Sequence, residues 1–278
     1  MNKLLVFQTD FGLDDGSISA MEGVAYSVDI DLNVRHLTHN IPQYNIFDAS
    51  YRLYQAINYW PAGTVFVCVV DPGVGSKRKA VVAKTASDQY IVTPDNGTLT
   101  HIERFVGITE VREIDEKRNR LKNSELSYTF HGRDVFAYTG ARLASGHISF
   151  EEVGPKFDNE DIVRLELFGC RKIEGGIMGQ IDILDVRFGS LWTSIPYEEF
   201  IGCGFSFGDM IKVEIFHDEE KVYSNYILYG RSFADVKLNE PIIYMNSAND
   251  MAVALNQASF SKEYGIEVGS GWKITMTK

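Results

Sequence analysis

The chain has 278 residues, 45% of them hydrophobic and 23% charged, the profile of an ordinary globular protein long enough for two domains. Its formal net charge of −11 argues against a nucleic-acid or acidic-membrane surface, because both demand a basic face. Cys68, Cys170 and Cys203 are odd in number, widely spaced and lack a C-x-x-C pair, which fits small core residues of a reducing compartment better than a disulfide frame or a zinc site.

In chain order, Leu4–Phe7 reads as a buried strand. This apolar run stops at Gln8-Thr9-Asp10, too short for a signal peptide, and no stretch of about 18 apolar residues occurs anywhere, so a cytoplasmic protein with no membrane partner is expected. Ser17–Val28 reads as a helix after a polar turn, Val34–Leu37 as a strand, and Ile46–Trp60 carries apolar residues at helical spacing. Thr64–Val70 is the clearest buried strand. Ala80–Ala83 and Tyr90–Val92 are shorter strands around a turn at Ser87-Asp88, and Asp134–Leu143 is a helix. Such alternation predicts a mostly parallel sheet covered by helices.

After Gly154-Pro155 the pattern changes. Lys156–Asp161 is charged and loop-like, the candidate linker. Beyond it come the strand-like runs Gly179–Leu184, Leu191–Ile195, Ile211–Phe216, Val222–Leu228 and Ile242–Asn246, with one helix-like stretch at Asp250–Ala258. The prediction is an α/β domain over residues 1–160 and a smaller β-barrel domain over 161–278, with the ligand taken at the junction.

Six segments hold residues able to do chemistry. In Thr9-Asp10-Phe11-Gly12-Leu13-Asp14-Asp15, Asp10 stands at a strand tip, where a carboxylate can accept from both hydroxyls of a ribose. Asp14 and Asp15 fit helix capping equally well. Asp71-Pro72-Gly73-Val74-Gly75 follows the buried strand, with Arg78 seven residues beyond Asp71. A turn explains the proline and glycines but not the flanking carboxylate and guanidinium. Pro94-Asp95-Asn96-Gly97 is a further strand-to-helix turn. In Thr129-Phe130-His131-Gly132-Arg133-Asp134, Gly132 clears space beside His131, a candidate general base or water-orienting group. The other five histidines show no such context. Asp185-Val186-Arg187-Phe188-Gly189-Ser190-Leu191-Trp192 and Tyr244-Met245-Asn246-Ser247 followed by Ala254-Leu255-Asn256-Gln257 combine carboxylate, aromatic and polar groups suited to a cationic amino acid and a purine.

The acidic opening also resembles that of calcium-dependent nucleoside hydrolases, D-x-D-x-x-x-D-D, except that Gln8 replaces the first aspartate, and a hard cation wants several anionic oxygens. Taken together and in order, TDFG, DPGVG plus arginine, PDNG, TFHGRD, D-x-x-FG-x-x-W-T and NS resemble the S-adenosyl-L-methionine hydroxide adenosyltransferase family, relatives of fluorinase and chlorinase. That resemblance implies an α/β domain followed by a β-barrel domain, and a homotrimer with sites between subunits. It implies that Asp71, Arg78 and His131 form a triad that binds and activates water, and that Asp10 holds the ribose hydroxyls. Asp185 would meet the methionine ammonium and Ser247 its carboxylate. Phe188, Trp192 and Phe233 would line the ligand, Tyr44 would reach in from a neighbouring subunit, and backbone groups near Leu255 and Gln257 would read the adenine edge.

In the halogenating relatives, the aspartate of DPGVG and the histidine of TFHGRD are replaced; here both are kept, and the long fluorinase insertion is absent between Arg78 and Tyr90. Hydrolysis of S-adenosyl-L-methionine to adenosine and methionine is therefore expected, with no metal and no cofactor. Ser190 departs from the family's usual asparagine, and a hydroxyl cannot reproduce an amide's paired donor and acceptor. The alternatives are a calcium-dependent nucleoside hydrolase and a non-catalytic protein that binds S-adenosylmethionine or adenosine.

Overall fold

Runs of apolar residues set the first half of the architecture. In the computed structural model, which describes residues 2–269 and 271–278, the chain divides into two units, Met1–Leu165 and Glu166–Lys278. The strands of the first are β1 (Leu4–Thr9), β2 (Asn33–Thr38), β3 (Val65–Val69), β4 (Ala80–Thr85), β5 (Tyr90–Pro94), β6 (Ile108–Glu113) and β7 (Lys156–Phe157). They form one sheet in the order β2-β1-β3-β5-β4-β6-β7. The four strands from β2 to β5 are parallel to one another, and β4, β6 and β7 continue the sheet antiparallel.

Both faces of this sheet are covered, which is why its central strands are apolar throughout instead of alternating. Successive β1 residues feed opposite layers. Leu5 and Phe7 pack with Met21 and Ala25 of α1 (Ser17–Val28) and with Ala141 and Leu143. Val6 packs with Leu53 and Ile57 of α2 (Ile46–Ile57) and with Leu99 and Ile102. Asn45 caps α2 by accepting from the Asp48 amide at 2.9 Å, a contact typically worth about 1 kcal/mol.

The chain runs from β1 to β2 on one side of β1 and then returns to β3 on the other. Such a reversal opens a crevice at the carboxyl ends of the two strands. Asp10 directly follows β1 and Asp71 lies two residues beyond β3, so topology brings both carboxylates to that edge. The candidate linker Lys156–Asp161 belongs within the first unit: it supplies β7, paired with β6, and a short 3₁₀ turn at Asn159–Asp161.

The second unit contains β8 (Arg171–Ile173), β9 (Gly176–Leu184), β10 (Leu191–Pro196), β11 (Met210–His217), β12 (Glu220–Tyr229), β13 (Pro241–Met245), β14 (Asp250–Leu255) and β15 (Trp272–Thr277). Pairing of β10 with both β14 and β9 closes seven strands into a barrel, and β8 adds to the outside of β9. Ile181, Val213, Ile215, Val253 and Ile274 are among the residues filling its interior. The expected helix at Asp250–Ala258 is instead β14 and a turn. Met251, Ala252, Ala254 and Leu255 are good helix formers, but they and Val253 are buried between β10 and β13, and tertiary pairing overrides the local preference.

Candidate active site

Three polar residues from separate loops meet in the first unit. Asp71 ends the β3 exit, Arg78 lies in the loop before β4, and His131 precedes a wide, π-type turn at Gly132–Ala137 that runs into the helix Tyr138–Ser145. Arg78 grips Asp71 with a fork: its Nε donates to Oδ1 at 2.9 Å and to Oδ2 at 3.1 Å, and its Nη2 donates to Oδ2 at 2.5 Å. The same Nη2 lies 3.0 Å from His131 Nδ1. The two charged side chains are 10% and 5% exposed, so water screens them little and the pair is strongly coupled.

An apolar wall encloses the cluster. The Arg78 guanidinium sits 5.1 Å from the Phe136 ring centre, and the Tyr128 ring lies 6.2 Å from that of His131. A Cβ on Gly132 would stand 3.0 Å from the Phe11 ring, so a larger residue would press on that ring beside His131. Burial and the neighbouring Arg78 charge push the His131 imidazole below its ordinary range, and His131 is neutral at pH 7. Its Nε2 is buried and has no protein hydrogen-bond partner among the described residues.

Asp10 stands on the same edge of the sheet. Its Oδ2 accepts from the Tyr44 backbone N–H at 2.9 Å. Tyr44 takes a left-handed φ of 66° to make this bond, and its ring is 69% exposed. Behind Asp10 runs a chain that the sequence did not disclose. Thr9 Oγ1 lies 2.8 Å from His39 Nδ1, His39 Nε2 lies 2.7 Å from His36 Nδ1, and His36 Nε2 lies 2.8 Å from Glu22 Oε1. Burial drives His39 down to about 4, so its ring stays neutral and braces the strand tip. Asp15 accepts from the Ser17 amide at 2.8 Å, the capping role; Asp14 makes no comparable bond among the described residues.

The second unit carries a cleft of about 840 Å³, within the usual size of a small-molecule site. Asp185, Phe188, Ser190, Phe233, Leu255 and Gln257 all line it. Phe188 and Phe233 are 71% and 41% exposed, and both offer ring faces to the cleft on which a flat ligand could stack. Asp185 Oδ1 accepts from the backbone amides of Arg187 at 3.0 Å and Phe188 at 3.1 Å, which fixes the turn. Gly189 holds φ 66°, and a Cβ there would lie 1.9 Å from Ser259 Oγ, so the turn closes only with glycine.

Two of the expected residues stand apart from the lining. Trp192 is 7% exposed and does not line the cleft. Ser247 sits on the exposed turn between β13 and β14, outside the cleft lining. Tyr244 and Arg187 line the cleft instead. Burial pushes the Tyr244 hydroxyl up against hydrogen bonds with Ser190 and Trp192, and its ring meets Phe233 with centres 5.0 Å apart. Both residues occur in motifs that the sequence singles out. Their one available signal was a polar or cationic group beside conspicuous aromatics.

A sheet-edge carboxylate–guanidinium–imidazole cluster and an aromatic cleft with hydroxyl and carboxylate groups define an enzyme acting on a nucleoside-like ligand. The chain matches the SAM hydroxide adenosyltransferase N-terminal domain over residues 5–154 and the C-terminal domain over residues 179–273. It belongs to the SAM hydroxide adenosyltransferase family. It is 34% identical over 273 residues to an (R)-S-adenosyl-L-methionine hydrolase of Methanocaldococcus jannaschii, covering 95% of this chain and 92% of that protein. A fluorinase of Actinopolyspora mzabensis is 25% identical, over 98% of this chain and 97% of its own. An uncharacterized conserved protein from Thermotoga maritima, known by crystal structure, superposes with a TM-score of 0.88 at 30% identity, over 99% of this chain and 100% of its own.

Proposed function

We propose that this protein hydrolyses S-adenosyl-L-methionine to adenosine and L-methionine by in-line attack of water on C5′ of the ribose. The observation that carries the reading is the direct contact of Asp71, Arg78 and His131, the two positions that halogenating relatives replace being kept here. C5′ forms a bond to the water oxygen while the C5′–S bond breaks, its electron pair returning to sulfur. Methionine leaves as a neutral thioether and needs no acid.

The demand falls on the nucleophile. The cluster is neutral overall, one carboxylate against one guanidinium beside an uncharged imidazole. Hydroxide attacking a sulfonium therefore neutralises charge in a water-poor site, which lowers the barrier more than it would in water. Holding the two reactants in line supplies up to about 7–11 kcal/mol more. Asp10 is suited to the ribose hydroxyls, Phe188 and Phe233 to stacking the purine, and Asp185 to the methionine ammonium. The Ser190–Tyr244 hydroxyl pair is suited to the adenine edge where relatives use an amide. Leu255 and Gln257 offer backbone groups beside it; Ser247, on its exposed turn, and Tyr44 are assigned to the carboxylate and the ligand rim through the family resemblance.

The reaction requires the triad and the aromatic cleft to act on one substrate molecule, and a homotrimer with sites completed between subunits is the assembly proposed for it. The scattered free cysteines support a cytoplasmic location. Among the described residues no helix is long and apolar enough to cross a membrane. Neither a metal nor a cofactor is required by the chemistry, and among the described residues no three His, Cys, Asp or Glu side chains are grouped to hold a metal ion. Incubation of purified protein with S-adenosylmethionine, with and without EDTA, tests the whole reading. Equal amounts of adenosine and methionine in both arms are expected. Free adenine, a requirement for calcium, or binding without turnover would each overturn it.

A further inference from the structure

We infer that His131 is held as the neutral Nε2–H tautomer and serves as a hydrogen-bond donor to the attacking oxygen, not as the base that removes its proton. The inference rests on the hydrolase reading and sharpens it. A guanidinium has only donors, so the 3.0 Å contact between Arg78 Nη2 and His131 Nδ1 makes Nδ1 the acceptor. The single proton of the neutral ring must then sit on Nε2. The Nδ1–H tautomer would aim donor at donor across that contact. A fully protonated ring would do the same and add a cation beside the guanidinium.

The surroundings hold the ring in this state. Arg78 and Arg120 disfavour the imidazolium, while Asp71 and Glu116 favour it. Asp71 is already engaged by Arg78 in a fork, and Glu116 is paired with Arg120 at 2.7 Å. The Tyr128 ring, itself covered by Arg120 at 5.0 Å, closes another side. Burial of the ring tips the balance to the neutral form.

What His131 offers the site is therefore its Nε2–H, the buried atom with no protein partner among the described residues. A buried donor without an acceptor is unfavourable, and the water oxygen, which gains electron density as it gives up its proton, is an acceptor that relieves it. Nη1 of Arg78 likewise has no protein acceptor among the described residues. With the His131 Nδ1 lone pair taken by Arg78 and its Nε2 already protonated, only the Asp71 carboxylate among the three has a lone pair free for the proton that water loses. That proton passes to Asp71 first, and the hydroxide so formed attacks C5′ while the C5′–S electron pair returns to sulfur.

His131→Gln separates donor from base, because glutamine places an amide N–H near the Nε2 position but cannot take up a proton. The expected result is that His131→Gln keeps at least about a tenth of wild-type kcat, while His131→Ala loses about 10²–10³-fold, as for a lost transition-state donor. In parallel, ¹⁵N–¹H long-range NMR of the unmodified protein at about pH 8 should show His131 protonated on Nε2 alone. A His131→Gln variant as inactive as His131→Ala, or a proton found on Nδ1, overturns the inference. If the unmodified protein turned over no S-adenosylmethionine at all, the hydrolase reading would fall, and the NMR tautomer would still judge the ring assignment by itself.

Discussion

The two units carry opposite kinds of site. In the first, the functional groups are charged, nearly inaccessible and tied to one another: Asp71 and Arg78 are 5% and 10% exposed and share a forked ion pair. In the second, the groups are mainly aromatic and open, with Phe188 71% exposed on a glycine turn and Phe233 41% exposed on a short 3₁₀ turn. The first arrangement is preorganised for charge that develops during reaction, and the second is preorganised for surface that a ligand brings with it. Transition-state effects should therefore gather in one unit and ground-state binding in the other.

Arg78→Lys is the most damaging test of that division. Lysine keeps the positive charge but cannot donate to both Asp71 oxygens and to His131 Nδ1 together. Steady-state assays are expected to show kcat lower by about 10²–10³-fold with KM for S-adenosylmethionine little changed, the size seen when one transition-state donor is lost. A variant with wild-type kcat would remove the cluster from the chemistry.

The reverse signature is expected of Phe188→Ala and of Phe233→Ala. Loss of a base-stacking ring is worth about 1–3 kcal/mol, so KM should rise roughly 10- to 100-fold while kcat at saturation is largely kept. Equal losses of kcat in both units would show that the cleft also shapes the transition state. Tyr244→Phe is milder. It removes one hydroxyl from the contact with Ser190 and Trp192, and a net hydrogen bond of about 0.5–1.5 kcal/mol predicts a KM increase of about 2- to 10-fold. Competition between S-adenosylmethionine and its inosine analogue reads the same pair, with reduced discrimination expected in the variant.

The contrast also explains what could be read from the residues alone. Central strands such as Val65–Val69 are legible because a sheet covered on both faces leaves an unbroken apolar run. Ile108–Glu113, placed further out between β4 and β7, has only Ile108 and Val111 as apolar residues among polar and charged ones and gives no such signal. Met251–Leu255 misleads because Met, Ala and Leu suit a helix, while the closing pair β10–β14 is a long-range fact absent from any local window. Asp71 and Arg78 are seven residues apart on one turn, so their partnership is nearly local. His131 joins them from 53 residues away, and only the ordered family motifs bring it in. Tyr244 escapes because its role depends on Ser190, across the barrel wall.

The last prediction concerns stability, not catalysis, and turns on two carboxylates treated differently by the two units. Asp71 has its arginine. Asp250, at the start of β14, has no ion-pair partner among the described residues, and burial alone pushes it up to about 7. Between about pH 4, where the unfolded carboxyl titrates, and pH 7, the folded protein holds a proton that the unfolded chain releases. Stability from this group therefore falls as pH rises through that window, and the full penalty remains above pH 7, where both states are ionised. Asp250→Asn keeps the shape and removes the charge. Denaturation at pH 4 should find the variant and wild type alike, and at pH 8 the variant should be more stable by on the order of 1–3 kcal/mol. The same measurement on Asp71→Asn should give the opposite sign at pH 8, because there the substitution strands a buried guanidinium. Two curves that moved together would mean that the barrel carboxylate has a partner too, and that the units differ less in their electrostatics than their exposure implies.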